Sequence, residues 1–202
     1  MSFDKRYKTM KVILVLLAVS LVISLFFNRQ YAKSLDEEER EYRTYVNHFY
    51  SEVRGTRLTL DDLLKDSQPI DQVNKELKRL SKHLNRLTYI SSREPHYISG
   101  VQASGINVFE KASYVLLNGS NEYKEIPSFI QNPQISDGER EYLEGIQAHI
   151  QYIHNQLYSE ETNQEKKDLT KEEMNEVINY ISDLINQHDE LLNAYLEEMD
   201  SY

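Results

Sequence analysis

The chain has 202 residues, with 23 Lys and Arg against 33 Asp and Glu, and neither Cys nor Trp. Without cysteine it can form no disulfide, thiolate zinc site, catalytic thiol or lipoprotein anchor. A net charge of −10 opposes nucleic acid, whose binding depends on phosphate neutralisation by Lys and Arg, so no nucleic-acid partner is expected.

The charge is divided unevenly. Residues 1–33 carry six basic side chains against Asp4, and the remainder carries seventeen basic and thirty-two acidic ones. The basic end holds the least ambiguous stretch, "KVILVLLAVSLVISLFFNRQ" from Lys11, which is uncharged from Val12 to Phe27. Core helices are polar on one face, and this one is apolar all round. Sixteen residues fall slightly short of the roughly 20 expected of a span. Met10, the stem of Lys11 and Asn28 extend it, and Tyr7 and Tyr31 stand where interfacial aromatics belong. A cleaved signal needs small residues before the cut, and "FFNRQYAKSLDEE" supplies only Ala32. The expectation is an uncleaved single-pass anchor over 12–28, with Val12–Phe27 in the lipid bilayer and a short basic tail at 1–11.

Orientation rests on Lys5, Arg6, Lys8 and Lys11, which crowd the near side, against the dispersed Arg29, Lys33, Arg40 and Arg43. A long C-terminal domain translocates largely regardless of charge. The expected location is therefore the cell membrane, with the N-terminus cytoplasmic and residues 29–202 outside. The inverted topology, a cytoplasmic membrane-tethered scaffold, is the alternative.

Beyond the anchor the chain reads as helices. Its four prolines, Pro69, Pro95, Pro127 and Pro133, fall between periodic segments. The first segment, about 35–66, carries Val46, Phe49, Val53, Thr56, Leu60 and Leu63 at steps of three and four. No breaker separates it from the anchor. The second, 70–92, has Val73, Leu77, Leu80, Leu84 and Leu87 in strict alternation. The third, 99–118, opens on a Ser99/Gln102 capping box and carries Val101, Val108, Phe109, Ala112, Val115 and Leu116. The fourth, 137–159, opens on Ser136 and Glu139 and carries Leu143, Ile146, Ile150, Ile153 and Leu157. The fifth, 171–200, opens on Thr170 and Glu173, and its stripe is Met174, Val177, Ile181, Leu184, His188, Leu191, Tyr195 and Met199. Single apolar stripes must be buried against one another. The expected fold is all-α: one transmembrane helix, then an up-and-down antiparallel bundle of four to five amphipathic helices. Sustained heptads leave a coiled-coil homodimer through the first or fifth helix open.

No motif points to chemistry. None of the six histidines, His48, His83, His96, His149, His154 and His188, stands in a Glu-x-x-His or His-Glu-x-x-His pattern. His188 lies on the apolar stripe and reads as a core histidine. There is no glycine-rich phosphate loop and no Gly-x-Ser-x-Gly elbow. No cofactor, metal or catalytic residue is expected, and the chain reads as a non-enzyme. A hydrolase would need a buried carboxylate dyad.

Fifteen tyrosines are the compositional oddity, and Tyr45, Tyr50, Tyr152 and Tyr158 fall on or beside stripes. Such residues either pack the ring and wet the hydroxyl, or build an interaction surface. The segment 120–134, "SNEYKEIPSFIQNPQ", is long for a structureless connection, and such loops often bind. Tyr123, Ile126, Phe129 and Ile130 in it are the candidate partner interface; otherwise they tuck into the bundle end. The plan resembles the external sensor regions of bacterial receptors in architecture only, and those continue into a cytoplasmic signalling region. The functional expectation is a membrane-anchored extracytoplasmic interaction module, an accessory or regulator of another envelope protein. A small-ligand sensor acting through a partner's span is the alternative.

Overall fold

A computed structural model of the chain describes residues 3–65, 68–91, 107–119, 126–131 and 134–199. The protein is all-α. Its helices are α1 (Phe3–Leu63), α2 (Ile70–Ser91), α3 (Asn107–Asn118), α4 (Asp137–Leu157) and α5 (Lys171–Met199). A 3-10 turn covers Phe129–Gln131, and two-residue strands β1 (Tyr158–Ser159) and β2 (Gln164–Glu165) pair antiparallel. The two segments expected at 12–28 and 35–66 are assigned to one helix, in keeping with the absence of a breaker between them. The chain divides into two compact units, residues 1–43 and 44–202.

In the first unit, the large apolar side chains described between Met10 and Phe27 are 50–64% exposed. α1 contains an 18-residue window apolar enough to cross a membrane, none of it buried. In water so much contiguous apolar surface would drive association. Beyond it, Lys33–Glu37 and Arg43–Glu39 form i,i+4 ion pairs at 3.6 and 2.7 Å, a modest local support for the helix.

The second unit has a conventional apolar core. α2 buries Val73, Leu77, Leu80, Leu84 and Leu87, the stripe its spacing predicts. α4 buries Leu143, Ile146, Ile150, Ile153 and Leu157. α1 contributes Val46, Phe49, Val53, Thr56, Leu60 and Leu63. The helix starts are chemical. Glu139 N donates to Ser136 Oγ at 3.2 Å while Ser136 N donates to the Glu139 carboxylate at 2.8 Å. Thr170 and Glu173 repeat the reciprocal pair at 3.2 and 2.8 Å. Each box satisfies two donors that a helix start leaves orphaned, worth about 1 kcal/mol per cap. The hydrogen bonds from Thr170 also hold the Glu173 carboxyl below its usual range.

Side-chain pairs give the direction of neighbouring helices. Along α1 and α4, Tyr50 meets His154, Asp61 accepts from Gln147, and the Leu64 carbonyl, just past α1, accepts from Arg140. Positions rise on one helix as they fall on the other. The same holds for α4 and α5, where Tyr142 meets His188 and His149 meets Tyr180. α2 and α3 meet through Ser81 and Ser113, whose hydroxyls lie 2.6 Å apart.

Two expectations need correction, and a third falls partly outside the described residues. α4 ends at Leu157 rather than 159, because Tyr158 and Ser159 turn extended and pair with Glu165 and Gln164. The turn between them is closed by Asn163 at φ 54, a left-handed conformation that Asn tolerates. Among the described side chains of α5, those buried after His188 are Leu192, Tyr195 and Leu196, while Leu191 is half-exposed and the side chain of Met199 lies outside the described ones. A 3.6-residue turn drifts from a strict three-four alternation, so the inward position moves on by one. Of the third segment, only Asn107–Asn118 is described, and the expected start at Ser99 lies outside the described residues, with the Ser99/Gln102 box.

Candidate functional site

Gly119 ends α3. Its N–H closes on the Val115 carbonyl at 2.9 Å, and its φ of +74 is the left-handed conformation that ends many helices. The chain then comes back so close that a Cβ on Gly119 would overlap the Ile126 carbonyl oxygen. Ser128 Oγ donates to the Leu117 carbonyl at 2.6 Å and lies 3.3 Å from that of Leu116, satisfying acceptors at the end of α3.

These contacts drive Phe129 inward. Its ring lies edge-on to Tyr142 at 5.6 Å and tilted against Tyr195 at 5.6 Å. Phe129 is 2% exposed and Ile126 3%, while Ile130 is half-buried and Tyr123 lies outside the described residues. Of the four side chains expected at an interface, two are therefore core residues of the second unit.

Below Phe129 the core turns polar. The Tyr142 hydroxyl is hydrogen-bonded to His188 Nε2 at 2.8 Å, joining α4 to α5. Nothing bonds His188 Nδ1, although the group is buried. The Asp189 carboxylate is 3.8 Å from it, too far for a hydrogen bond, and Lys111 of α3 reaches the same oxygen at 3.8 Å. Burial pushes the His188 pKa down to about 4, with Lys111 and His149 acting in the same direction and Asp189 opposing them. Burial likewise pushes the Tyr142 hydroxyl well above its ordinary value. Both groups are neutral at pH 7.

Two more imidazoles lie on α4. His149 Nδ1 is bonded to the Tyr180 hydroxyl at 2.9 Å, and Tyr180 stacks at a tilt on Tyr152 at 4.2 Å. Burial lowers the His149 pKa. His154 stacks on Tyr158 at 5.0 Å and faces Tyr50 at 5.6 Å. Its pKa is lowered by burial first and by Arg57 second. His149 and His188 line a narrow apolar crevice with Phe109, Ile146 and Leu184, which has room for about one water molecule.

A separate polar group joins α1 to α2. His83 Nδ1 bonds Glu52 at 2.6 Å, and Arg86 reaches the other Glu52 oxygen at 3.1 Å. The His83 ring lies over Gly55, where a Cβ would stand 2.6 Å from it. Gly55, off the apolar stripe in the sequence, is thus the seat of an imidazole. Among the described residues, no three His, Asp or Glu side chains gather as metal ligands would. Glu139 and Glu76 are the buried carboxylates described; Glu139 caps α4 and Glu76 pairs with Arg79 at 3.4 Å. Tyr89, Tyr114 and Tyr152 of the second unit lie on its surface, at 54%, 60% and 46% exposure.

The Tyr142–His188 pair was not legible in the sequence. Its members lie 46 positions apart, and the one available signal was His188 on an otherwise apolar stripe.

Among the described residues the chain is thus helical, with one helix long and apolar enough to cross a membrane and a second unit whose interior polar groups include tyrosine–histidine pairs. No family model, no curated protein and no solved structure matches it.

Proposed function

We propose that the protein is a membrane-anchored, extracytoplasmic helical interaction module that serves another protein of the cell envelope. Val12–Phe27 crosses the bilayer once, residues 1–11 face the cytoplasm, and residues 29–202 form an acidic up-and-down helical bundle outside. The observation that carries the reading is the contrast between two kinds of apolar residue. From Met10 to Phe27 they face outward all round, whereas Phe49, Leu84, Ile150 and Ile181 are sealed inside. Only lipid, or another spanning helix, suits the first kind. The opposite-running pairs of α1 with α4 and of α4 with α5 support the bundle.

The working surface is then the outside of the bundle. Tyr89, Tyr114 and Tyr152 each put a large amphipathic ring in solvent, and tyrosine is enriched where proteins meet.

The test is in-cell photo-crosslinking with the crosslinking residue placed singly at Tyr89, Tyr114, Tyr152 or Phe129. Deleting residues 120–134 would serve less well, since it strips Phe129 from the core. Protein adducts are expected from at least one exposed tyrosine position and none from Phe129. Silence at all three tyrosines, or the same adducts from Phe129, would sink the interaction reading.

A further inference from the structure

Two tyrosine–histidine pairs cross the seam between α4 and α5, and one of their imidazoles lacks an acceptor for a second proton. At one level Tyr142 meets His188, and at another Tyr180 meets His149. Both imidazoles border the same one-water crevice. A protonated imidazole has two N–H donors and needs two acceptors. At His188 the Tyr142 oxygen can serve Nε2, but Nδ1 has no partner within hydrogen-bond reach. The groups around it are His149 and Tyr142 from α4, Lys111 from α3, and Asp189 from α5 itself. Asp189 is shared with Lys111, so the one anion present is already partly neutralised. At His149 the facing group is Tyr180, with Tyr152 behind it. No carboxylate is among them.

We propose that the α4–α5 seam is an acid-sensitive latch, closed while His188 and His149 are neutral and released when they take up protons. Release swings out the inner face of α5, with Val177, Ile181, Leu184 and Leu192, and gives the module an apolar surface it lacks at neutral pH.

The sign follows from linkage. A histidine whose folded value lies below its unfolded one stabilises the closed form at high pH. That stability drains away as pH falls below the unfolded value of 6.5, until the folded value is reached. With His188 at about 4 when closed, the weight of the open form rises about 30-fold between pH 8 and pH 5. His149 adds to this in the same direction. His154 faces Tyr50, Arg54, Arg57 and Asp61 of α1, so its response is read in different amides.

The experiment is amide hydrogen exchange on the full-length protein in detergent micelles, corrected for intrinsic rates, from pH 8 to pH 5. Protection across Lys171–Met199 is expected to fall by about 30-fold while that of α2 around Leu80 and Leu84 holds. His188→Gln, which keeps a partner for Tyr142 but cannot charge, should remove most of the fall. Unchanged α5 protection at pH 5, or the full fall retained in His188→Gln, overturns the latch. Should that variant not fold, the His188 ring protons of the unaltered protein decide. A midpoint well below 6.5 supports the latch, and a midpoint near 6.5 overturns it.

Discussion

Phe129→Ala is expected to destabilise the second unit by about 3–5 kcal/mol, the range for removing a fully buried aromatic ring. The ring bridges Tyr142 of α4 and Tyr195 of α5, and both would border the void. Tyr142 is also the partner of His188, so a loosened Tyr142 puts the one hydrogen bond of a buried imidazole at risk. Urea unfolding of the full-length protein in detergent, followed by far-ultraviolet circular dichroism, reads the effect. Phe129→Leu, which refills most of the volume, should recover more than half of the loss. If Phe129 served a partner and not the core, alanine would leave the unfolding midpoint in place and remove crosslinks instead.

Gly119→Ala is the second large effect, expected at about 3 kcal/mol or more, from a left-handed backbone penalty of about 1–2 kcal/mol plus forced displacement of packed backbone. A longer side chain would relieve neither cause. The new methyl would overlap the Ile126 carbonyl, which is backbone and cannot rotate away. The displaced strand of chain carries Ser128, whose hydroxyl satisfies the Leu117 carbonyl, and then Phe129. Loss of protection should begin at the end of α3 and in the Phe129–Gln131 turn before it reaches α2. A Gly119→Ala protein with unaltered unfolding and exchange would mean that the return of the chain to α3 is wrong.

Helix stripes were the readable part of this chain. Leu77, Leu80, Leu84 and Leu87 repeat at a helix's own period, so their burial is written locally, and so are the Ser136/Glu139 and Thr170/Glu173 boxes. The β1–β2 hairpin escaped because two-residue strands carry no period. The error at Leu191 came from extending a regular alternation where the helix had already drifted. In the segment 120–134, Ile126 and Phe129 look the same in sequence whether they face a partner or a core. What decides is the turn at Gly119, and its left-handed φ becomes visible only once the chain is seen to return. Tyr142 with His188, and His83 over Gly55, are contacts between helices that no single helix encodes.

The anchored, outward-facing topology is tested most directly by labelling intact cells with a membrane-impermeant amine reagent, then identifying labelled lysines by mass spectrometry before and after permeabilisation. Lys75, Lys78, Lys82 and Lys167 are exposed on the second unit, and Lys5, Lys8 and Lys11 precede the apolar stretch. The expected pattern is label on Lys75, Lys78, Lys82 and Lys167 in intact cells, with Lys5, Lys8 and Lys11 of the same chain labelled only after permeabilisation. The reverse pattern would place the helical unit in the cytoplasm. Recovery of chains that begin beyond Ala32 would mean that the apolar stretch is cut away and anchors nothing.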